Sequence, residues 1–243
     1  MLILGLDTAT PWGTVALGDE EEIYFEISLK SGKGGGEYLL SILNQFMSKC
    51  GKNLNEVDLV VAGTGPGSYT GIRVGLAAVR GLAEGLKVPV MGVNTLRIIA
   101  ENAYRSSQWV ATVIDARRGS VYAALYRNSI EGLKEYWPPY YTDVESFSKK
   151  MASLNDVLIC GDGGKKYQDI WEMNSQIKIG PSTWDRPSAA NLVRIATQLW
   201  NSANKTETEA LSPTYLRKVE AEARLEERIN ADQCCSDETR RPQ

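Results

Sequence analysis

The chain has 243 residues, 43% of them apolar, enough for one large or two small domains with a substantial core. Its 27 basic and 30 acidic residues leave a net charge of −3, which excludes a bulk basic field for nucleic acid. It contains no histidine, which excludes serine–histidine and cysteine–histidine catalysis and leaves a zinc or iron site only carboxylates and thiols.

Met1–Asp7 is too short and lacks the basic start of a signal peptide, so Leu2–Asp7 reads as the first strand. Gly13–Leu17 and Glu22–Ser28 are two more strands joined by the acidic turn at Gly18-Asp19-Glu20. Ser31–Gly36 reads as a flexible loop. Glu37–Cys50 is an amphipathic helix with Leu39, Leu40, Leu43, Phe46, Met47 and Cys50 on one side. Val60-Val61-Ala62 is apolar without alternation, as in a strand covered on both faces. Gly63, Gly65, Pro66 and Gly67 form a dense turn, Ser68 or Thr70 caps the helix to Leu86, and Pro89 closes it before a strand at Val90–Val93. This is a β-α-β unit, so the sheet is parallel here. A further helix is expected from Thr95 to about Ser106.

A glycine-rich loop before a helix N-terminus suits phosphate. Gly63–Ser68 matches neither G-x-G-x-x-G nor a P-loop, and Pro66 removes a donor, so a structural turn is the better reading. In the helix that follows, Gly71, Gly75, Ala78 and Gly85 share one narrow face, with Ile72, Leu76, Val79, Leu82 and Leu86 beside it and Arg73 and Arg80 opposite. Interior glycines such as Gly75 and Gly81 cost about 1 kcal/mol each relative to alanine. A close backbone approach would justify that cost, and the neighbour is either the chain's own sheet or another subunit.

The second half starts like the first. Trp109–Asp115 is an apolar strand ending in Asp, followed by strands at Gly119–Tyr126 and near Ile130–Tyr136. Asp143–Ala152 reads as helix, Val157–Cys160 and Ile177–Ile179 as strands, and Pro187-Ser188 caps a helix from Ala189 to Asn201. The expected division is 1–106 and 107–216, with the helix at about 188–201 free to pack back on the first lobe, and a charged tail 217–243. A charged helix from Tyr215 to Ile229 and disorder from Ala231 are expected. No apolar run reaches the roughly 20 residues of a membrane span. Cys50, Cys160, Cys234 and Cys235 lack metal spacing and read as reduced thiols of a cytoplasmic protein.

Strand-end aspartates in a repeated unit point to the duplicated fold of actin, sugar kinases and Hsp70-type ATPases. In those proteins the first strand of each half ends in D-x-G and the next loop holds phosphate. Here the segments are Asp7-Thr8-Ala9 and Asp115-Ala116-Arg117, and neither has the glycine. Asp7 and Asp115 remain able to hold a magnesium ion through water, or simply to cap strand-end loops.

Five motifs in series then resemble the TsaB (YeaZ) family: Asp7-Thr-Ala-Thr10, Gly65-Pro-Gly-Ser-Tyr-Thr-Gly-Ile-Arg-Val-Gly75, Gly92-Val-Asn-Thr-Leu96, Asp115-Ala-Arg-Arg-Gly-Ser-Val-Tyr122 and Pro213-Thr-Tyr-Leu-Arg217. The likeness runs over about Met1 to Arg217. It implies an α/β, two-lobed actin-like fold of the ASKHA kind, a duplicated RNase H-like unit with mixed sheets flanked by helices. It implies a scaffold subunit, without catalysis, metal or cofactor of its own. Such a subunit dimerises and binds the catalytic paralogue TsaD, which transfers a threonylcarbamoyl group to the adenosine next to the tRNA anticodon with help from the ATPase TsaE. TsaD relatives carry a metal-binding N-H-x-x-x-H motif, and Thr95 and Ile99 stand at the two histidine positions here. A histidine that many TsaB relatives carry near the first helix is also lacking at Gly36-Glu37.

The expected interface consists of Leu39, Leu43, Met47, Gly71, Gly75, Ala78, Leu82 and Gly85. Asp7, Asp115, Arg117 and Arg118 are expected in the lobe cleft or against a partner, and Arg117, Arg118, Arg217 and Lys218 are candidates for tRNA contact within the complex. The competing readings are an actin-like small-molecule kinase or ATPase, against which the altered D-x-G segments argue, and a peptidase, against which the missing histidine, metal motif and G-x-S-x-G argue.

Overall fold

The computed structural model describes residues 1–30, 35–202 and 211–217, and of residues 35–40 and 202 the backbone alone. Of the expected loop Ser31–Gly36, residues 31–34 lie outside the described residues, as does nearly all of the tail, while Gly35 and Gly36 are already the first turn of a helix.

In the first lobe the strands β1 (Ile3–Asp7), β2 (Trp12–Gly18), β3 (Ile23–Lys30), β4 (Leu59–Gly63) and β5 (Val90–Val93) form one sheet in the order β3-β2-β1-β4-β5. The first three are antiparallel and hairpin-linked, whereas β1, β4 and β5 run parallel. Parallel neighbours need a crossover, supplied by the helices α1 (Gly35–Lys49) and α2 (Tyr69–Leu86). A short helix α3 (Thr95–Ala100) follows β5.

The second lobe repeats this plan. β6 (Trp109–Arg117), β7 (Ser120–Ser129) and β8 (Gly132–Asp143) are antiparallel, and β9 (Val157–Cys160) and β10 (Ile177–Ile179) continue in parallel from β6, giving the order β10-β9-β6-β7-β8. With β6 set against β1, the two strand orders are the same. The helices here are α4 (Val144–Lys150), α5 (Asp162–Lys166) and α6 (Gln168–Trp171), and the last helix is α7 (Ala189–Ser202). This is a duplicated, two-lobed actin-like α/β fold.

Every residue of β1 and β4 is buried because helices cover both faces of the first sheet. On the outer face Ile72, Leu76, Val79 and Ala83 of α2 share a core with Leu4, Leu6, Val60 and Ala62, and Leu43 and Met47 of α1 join it over β2 and β3, where Val15, Leu17 and Phe25 lie. On the inner face Leu192, Val193 and Ala196 of α7 meet Ile3, Leu59 and Val61, so α7 packs on the first lobe's sheet. The inner face of the second sheet packs on α3, through Leu96, Ile99 and Ala100 against Val110, Ala124 and Tyr126. Its outer face packs Phe147, Met151 and Trp171 against Trp109, Ala111 and Val113.

Three local differences from expectation have physical reasons. β8 runs on through Pro138 and Pro139 to Asp143, as a strand can at a sheet edge where no partner needs the missing N–H. α3 stops at Ala100 and tightens into a 3-10 turn at Glu101–Ala103 instead of continuing to Ser106. The short helices α5 and α6 were not expected. Their packing is tertiary in origin, since Trp171 is fully buried and donates its Nε1 proton to the Gly163 carbonyl at 3.1 Å.

Leu43 and Met47, expected on an intersubunit surface, are 2% and 1% exposed inside the lobe's own core. An apolar helix face is drawn first to the nearest sheet, and here β2 and β3 take it. The side chain of Leu39 lies outside those described.

Candidate functional site

The strand-end loops of the first lobe converge on Asp7. Its Oδ1 accepts the Ala9 N–H at 2.7 Å and its Oδ2 accepts the Thr95 hydroxyl proton at 2.7 Å. Thr95 Oγ1 in turn accepts the Gly65 N–H at 3.1 Å, and the Thr95 N–H bonds to the Gly65 carbonyl at 2.8 Å. Asp7 thereby ties the end of β1 to the glycine loop after β4 and to the start of α3. The site is closed, with Asp7, Thr8, Ala9 and Thr95 all buried. Burial pushes the Asp7 carboxyl up from 3.8 to about 6, against the lowering pull of the Ala9 N–H and Thr95 hydroxyl. The Gly65–Pro66 peptide is cis.

The glycine-rich segment encloses the chain's own backbone rather than an open cradle. A Cβ at Gly67 would collide with the Ala9 carbonyl, and one at Gly71 with the Thr8 carbonyl. A Cβ on Gly75 would strike Thr8 Oγ1, which donates to the Gly71 carbonyl at 2.7 Å. Gly71 and Gly75 therefore let α2 approach the loop after β1, and their neighbour is intradomain. Ala78 and Leu82 lie half-buried against the same lobe's core. Gly85, with Gly81, has nothing within 4 Å of where a Cβ would stand. Ser68, rather than Thr70, caps α2 by accepting the Gly71 N–H at 3.2 Å.

In the second lobe Asp115 is more open and ion-paired. Its Oδ2 accepts Lys166 Nζ at 2.5 Å, while Oδ1 accepts the Tyr167 hydroxyl at 2.8 Å and the Arg117 N–H at 2.9 Å. Partial burial pushes this carboxyl up, but Lys166, Tyr167 and the Arg117 N–H outweigh it and hold it below its ordinary value. Arg118 and Gly119 form the two-residue hairpin turn at positive φ, which leaves the Arg117 and Arg118 side chains exposed. The structure thus brings Asp115 and Arg117 together through a backbone bond, while Asp7 belongs to the other cluster. Beneath Asp115, Asp162 accepts the Asp115 N–H at 2.8 Å. Burial, then the charge of Asp162, raises Asp185 to about 6, and burial, then Asp185, raises the Cys160 thiol to about 12. Among the described residues no cluster of three or more Cys, Asp or Glu is placed to hold a metal ion.

The segment Leu211–Arg217 ties into the site, a role the sequence reading did not assign. Leu211 is buried in the first lobe's core and its carbonyl accepts Arg80 Nη2 at 2.8 Å. The Thr214 N–H bonds to the Thr64 carbonyl at 2.8 Å, and the two threonine hydroxyls lie 3.1 Å apart. Tyr215 accepts Arg73 Nε at 3.2 Å, and Arg217 sits over the Tyr141 ring of β8. Tyr215–Arg217, expected to open a helix, is irregular here because the segment is held by Leu211 and Thr214; the available signal was the Pro213–Arg217 motif, with its tyrosine and arginine.

The family model for TsaD, tRNA N6-adenosine threonylcarbamoyltransferase, matches residues 35–225. The chain is 35% identical over 227 residues to the tRNA threonylcarbamoyladenosine biosynthesis protein TsaB of Haemophilus influenzae, covering 89% of this chain and 94% of that one. It is 29% identical over 226 residues to TsaB of Escherichia coli, covering 89% and 95%. Among solved structures it is similar to YeaZ from Pseudomonas aeruginosa, with TM-score 0.74 and 27% identity over 88% of this chain and 99% of that one. No helix among the described residues is long and apolar enough to cross a membrane.

Proposed function

Because the chain belongs to the TsaB family of tRNA threonylcarbamoyladenosine biosynthesis proteins, we propose that it is the non-catalytic scaffold subunit of the machinery that makes this nucleoside. It binds the catalytic paralogue TsaD, which transfers the threonylcarbamoyl group to the adenosine next to the anticodon. It works in the cytoplasm alongside the ATPase TsaE, pairs with itself in TsaD's absence, and meets tRNA only within the complex.

The observation that carries the non-catalytic part is the enclosure of Asp7. An actin-like kinase or ATPase needs this strand-end carboxylate open to a metal-bound phosphate. Here both oxygens are occupied by the Ala9 N–H and the Thr95 hydroxyl, and the glycine loop closes on Thr8 and Ala9. Opening the site would break those bonds and leave buried donors unpaired, at roughly 1–3 kcal/mol each.

For docking, the outward face of α2 offers Thr70, Val74, Ala77, Gly81 and Gly85, all exposed. The two glycines with open space above them, Gly81 and Gly85, leave a smooth surface that a helix of a second copy or of a same-fold paralogue can approach closely. This replaces Leu43, Met47, Gly71 and Gly75 as the centre of the contact.

The test is a transfer assay with purified TsaD, TsaE, tRNA and this chain, omitting each in turn, together with co-purification of the chain and TsaD. The expected result is no transfer and no ATP turnover by this chain alone, and loss of transfer when it is omitted. Steady ATP hydrolysis that survives purification and disappears in Asp7→Ala would overturn the reading.

A further inference from the structure

Two large aromatic side chains that stand exposed among the described residues meet at one place: Tyr69 of α2 and Tyr215 of the C-terminal segment, 40% and 41% exposed. Single exposed apolar residues are ordinary, but a cluster around a cation is not. At its centre is Arg73. Its guanidinium carbon lies 4.2 Å from the centroid of the Tyr69 ring, and its Nε donates to the Tyr215 hydroxyl at 3.2 Å. The two rings are 5.2 Å apart. Among the described residues no carboxylate pairs with Arg73, and its two Nη groups make no hydrogen bond, although the chain holds more acids than bases.

We propose that Arg73, clamped by Tyr69 and Tyr215, is the anion-reading centre of the docking surface and receives an aspartate or glutamate side chain of the partner TsaD. This rests on the docking of α2 proposed above. The guanidinium spends its Nε and one π face inside the chain, so the Nη edge that remains matches a carboxylate in two-point contact. Tyr215 is itself held in place, since the segment before it is pinned by Leu211 in the core and by the Thr64–Thr214 pair. The clamp therefore exists before association, and less side-chain freedom is lost on binding. Arginine flanked by tyrosines is the composition that carries most of the energy in protein–protein contacts. The cluster also borders the small-residue face of α2, since Arg73 and Val74 flank Thr70 and Ala77 on the helix surface. An RNA surface is disfavoured, because backbone recognition takes several cations together and this chain has a net charge of −3.

The experiment measures binding of the full chain to the same organism's TsaD for the wild type, Arg73→Glu, Arg73→Lys, Arg73→Ala, Tyr215→Phe and the Arg73→Ala/Tyr215→Phe double variant. Arg73 is on the surface, and thermal melting of each variant checks the fold. Arg73→Glu is expected to weaken binding about tenfold or more, and Arg73→Lys by about threefold, because the charge stays and the fork is lost. Tyr215 is a positioning residue, so Tyr215→Phe should weaken binding about threefold in the wild type and have no effect once Arg73 is alanine. Raising the salt concentration should weaken the wild type more than Arg73→Ala.

Arg73→Glu binding within about twofold of the wild type overturns the proposal, as does an additive effect of Tyr215→Phe. If Arg73→Glu binds TsaD normally but the assembled complex loses affinity for tRNA, the cation serves phosphate and the proposal is wrong. If the wild-type chain does not bind TsaD, the docking reading falls and takes this proposal with it. If the wild type binds and the variants match it, only the Arg73 assignment falls.

Discussion

The enclosure of Asp7 makes a quantitative prediction about pH. Its carboxyl is raised from 3.8 to about 6, chiefly by burial, and only the Ala9 N–H and Thr95 hydroxyl oppose that shift. The folded protein therefore binds this proton more tightly than the unfolded chain. The group's contribution to stability is complete below about pH 4, declines as the pH rises towards 6, and is gone above it. A shift of about two units at roughly 1.4 kcal/mol per unit amounts to about 3 kcal/mol. Asp7→Asn removes the titration and keeps an acceptor for the Ala9 N–H. It also sets an amide against Thr95 Oγ1, which already accepts the Gly65 N–H, so the hydroxyl proton loses its acceptor at a cost of roughly 1–3 kcal/mol. The two effects nearly offset one another at neutral pH. The assay is urea unfolding of both proteins from pH 4 to 8. Asp19, Asp115, Asp143 and Asp156 are all shifted downward and impose an opposite slope, which cancels when one profile is subtracted from the other. The stability of the wild type relative to Asp7→Asn should fall by about 2 kcal/mol between pH 4 and 6.5 and stay level above that. Parallel profiles across the whole range would refute the reasoning, because Asp7 would then be open to solvent.

Gly75→Leu should lower thermal stability by about 1–3 kcal/mol or more, measured by differential scanning calorimetry, because its side chain would enter the space of Thr8. Gly81→Ala should do the reverse and stabilise the chain by about 0.5–1 kcal/mol, since the position is exposed and unobstructed. Cys160, buried and raised to about 12, should resist iodoacetamide at pH 8 while the half-buried Cys50 reacts, as read by peptide mass mapping. Lys166→Ala should change unfolding free energy by less than about 1 kcal/mol, because its pair with Asp115 is partly exposed and screened by solvent.

Much of the fold is legible along the chain. Val60-Val61-Ala62 has the unbroken apolar character of a strand covered on both faces, and Gly63 to Gly67 punctuate it before a capped helix. The same local pattern of an apolar strand ending in aspartate, then a hairpin, recurs at Trp109, and the two sheets share one strand order. These features are written in neighbouring residues, where turn chemistry and side-chain period act directly.

What lies across a face is a different matter. The helical period puts Gly71 and Gly75 on one stripe, but the Thr8 that meets them is 63 positions from Gly71. The apolar side of α1 is visible in sequence, yet whether Leu43 and Met47 meet a subunit or a sheet depends on where β2 and β3 come to lie. Asp7 looks like a ligand candidate until Thr95, 88 residues away, occupies its second oxygen. Thr214 reaches Thr64 over 150 residues, which is what turns a short terminal motif into part of a surface. Local sequence specifies period and propensity, whereas an enclosed carboxylate or a clamped arginine exists only once loop closure has brought distant segments together.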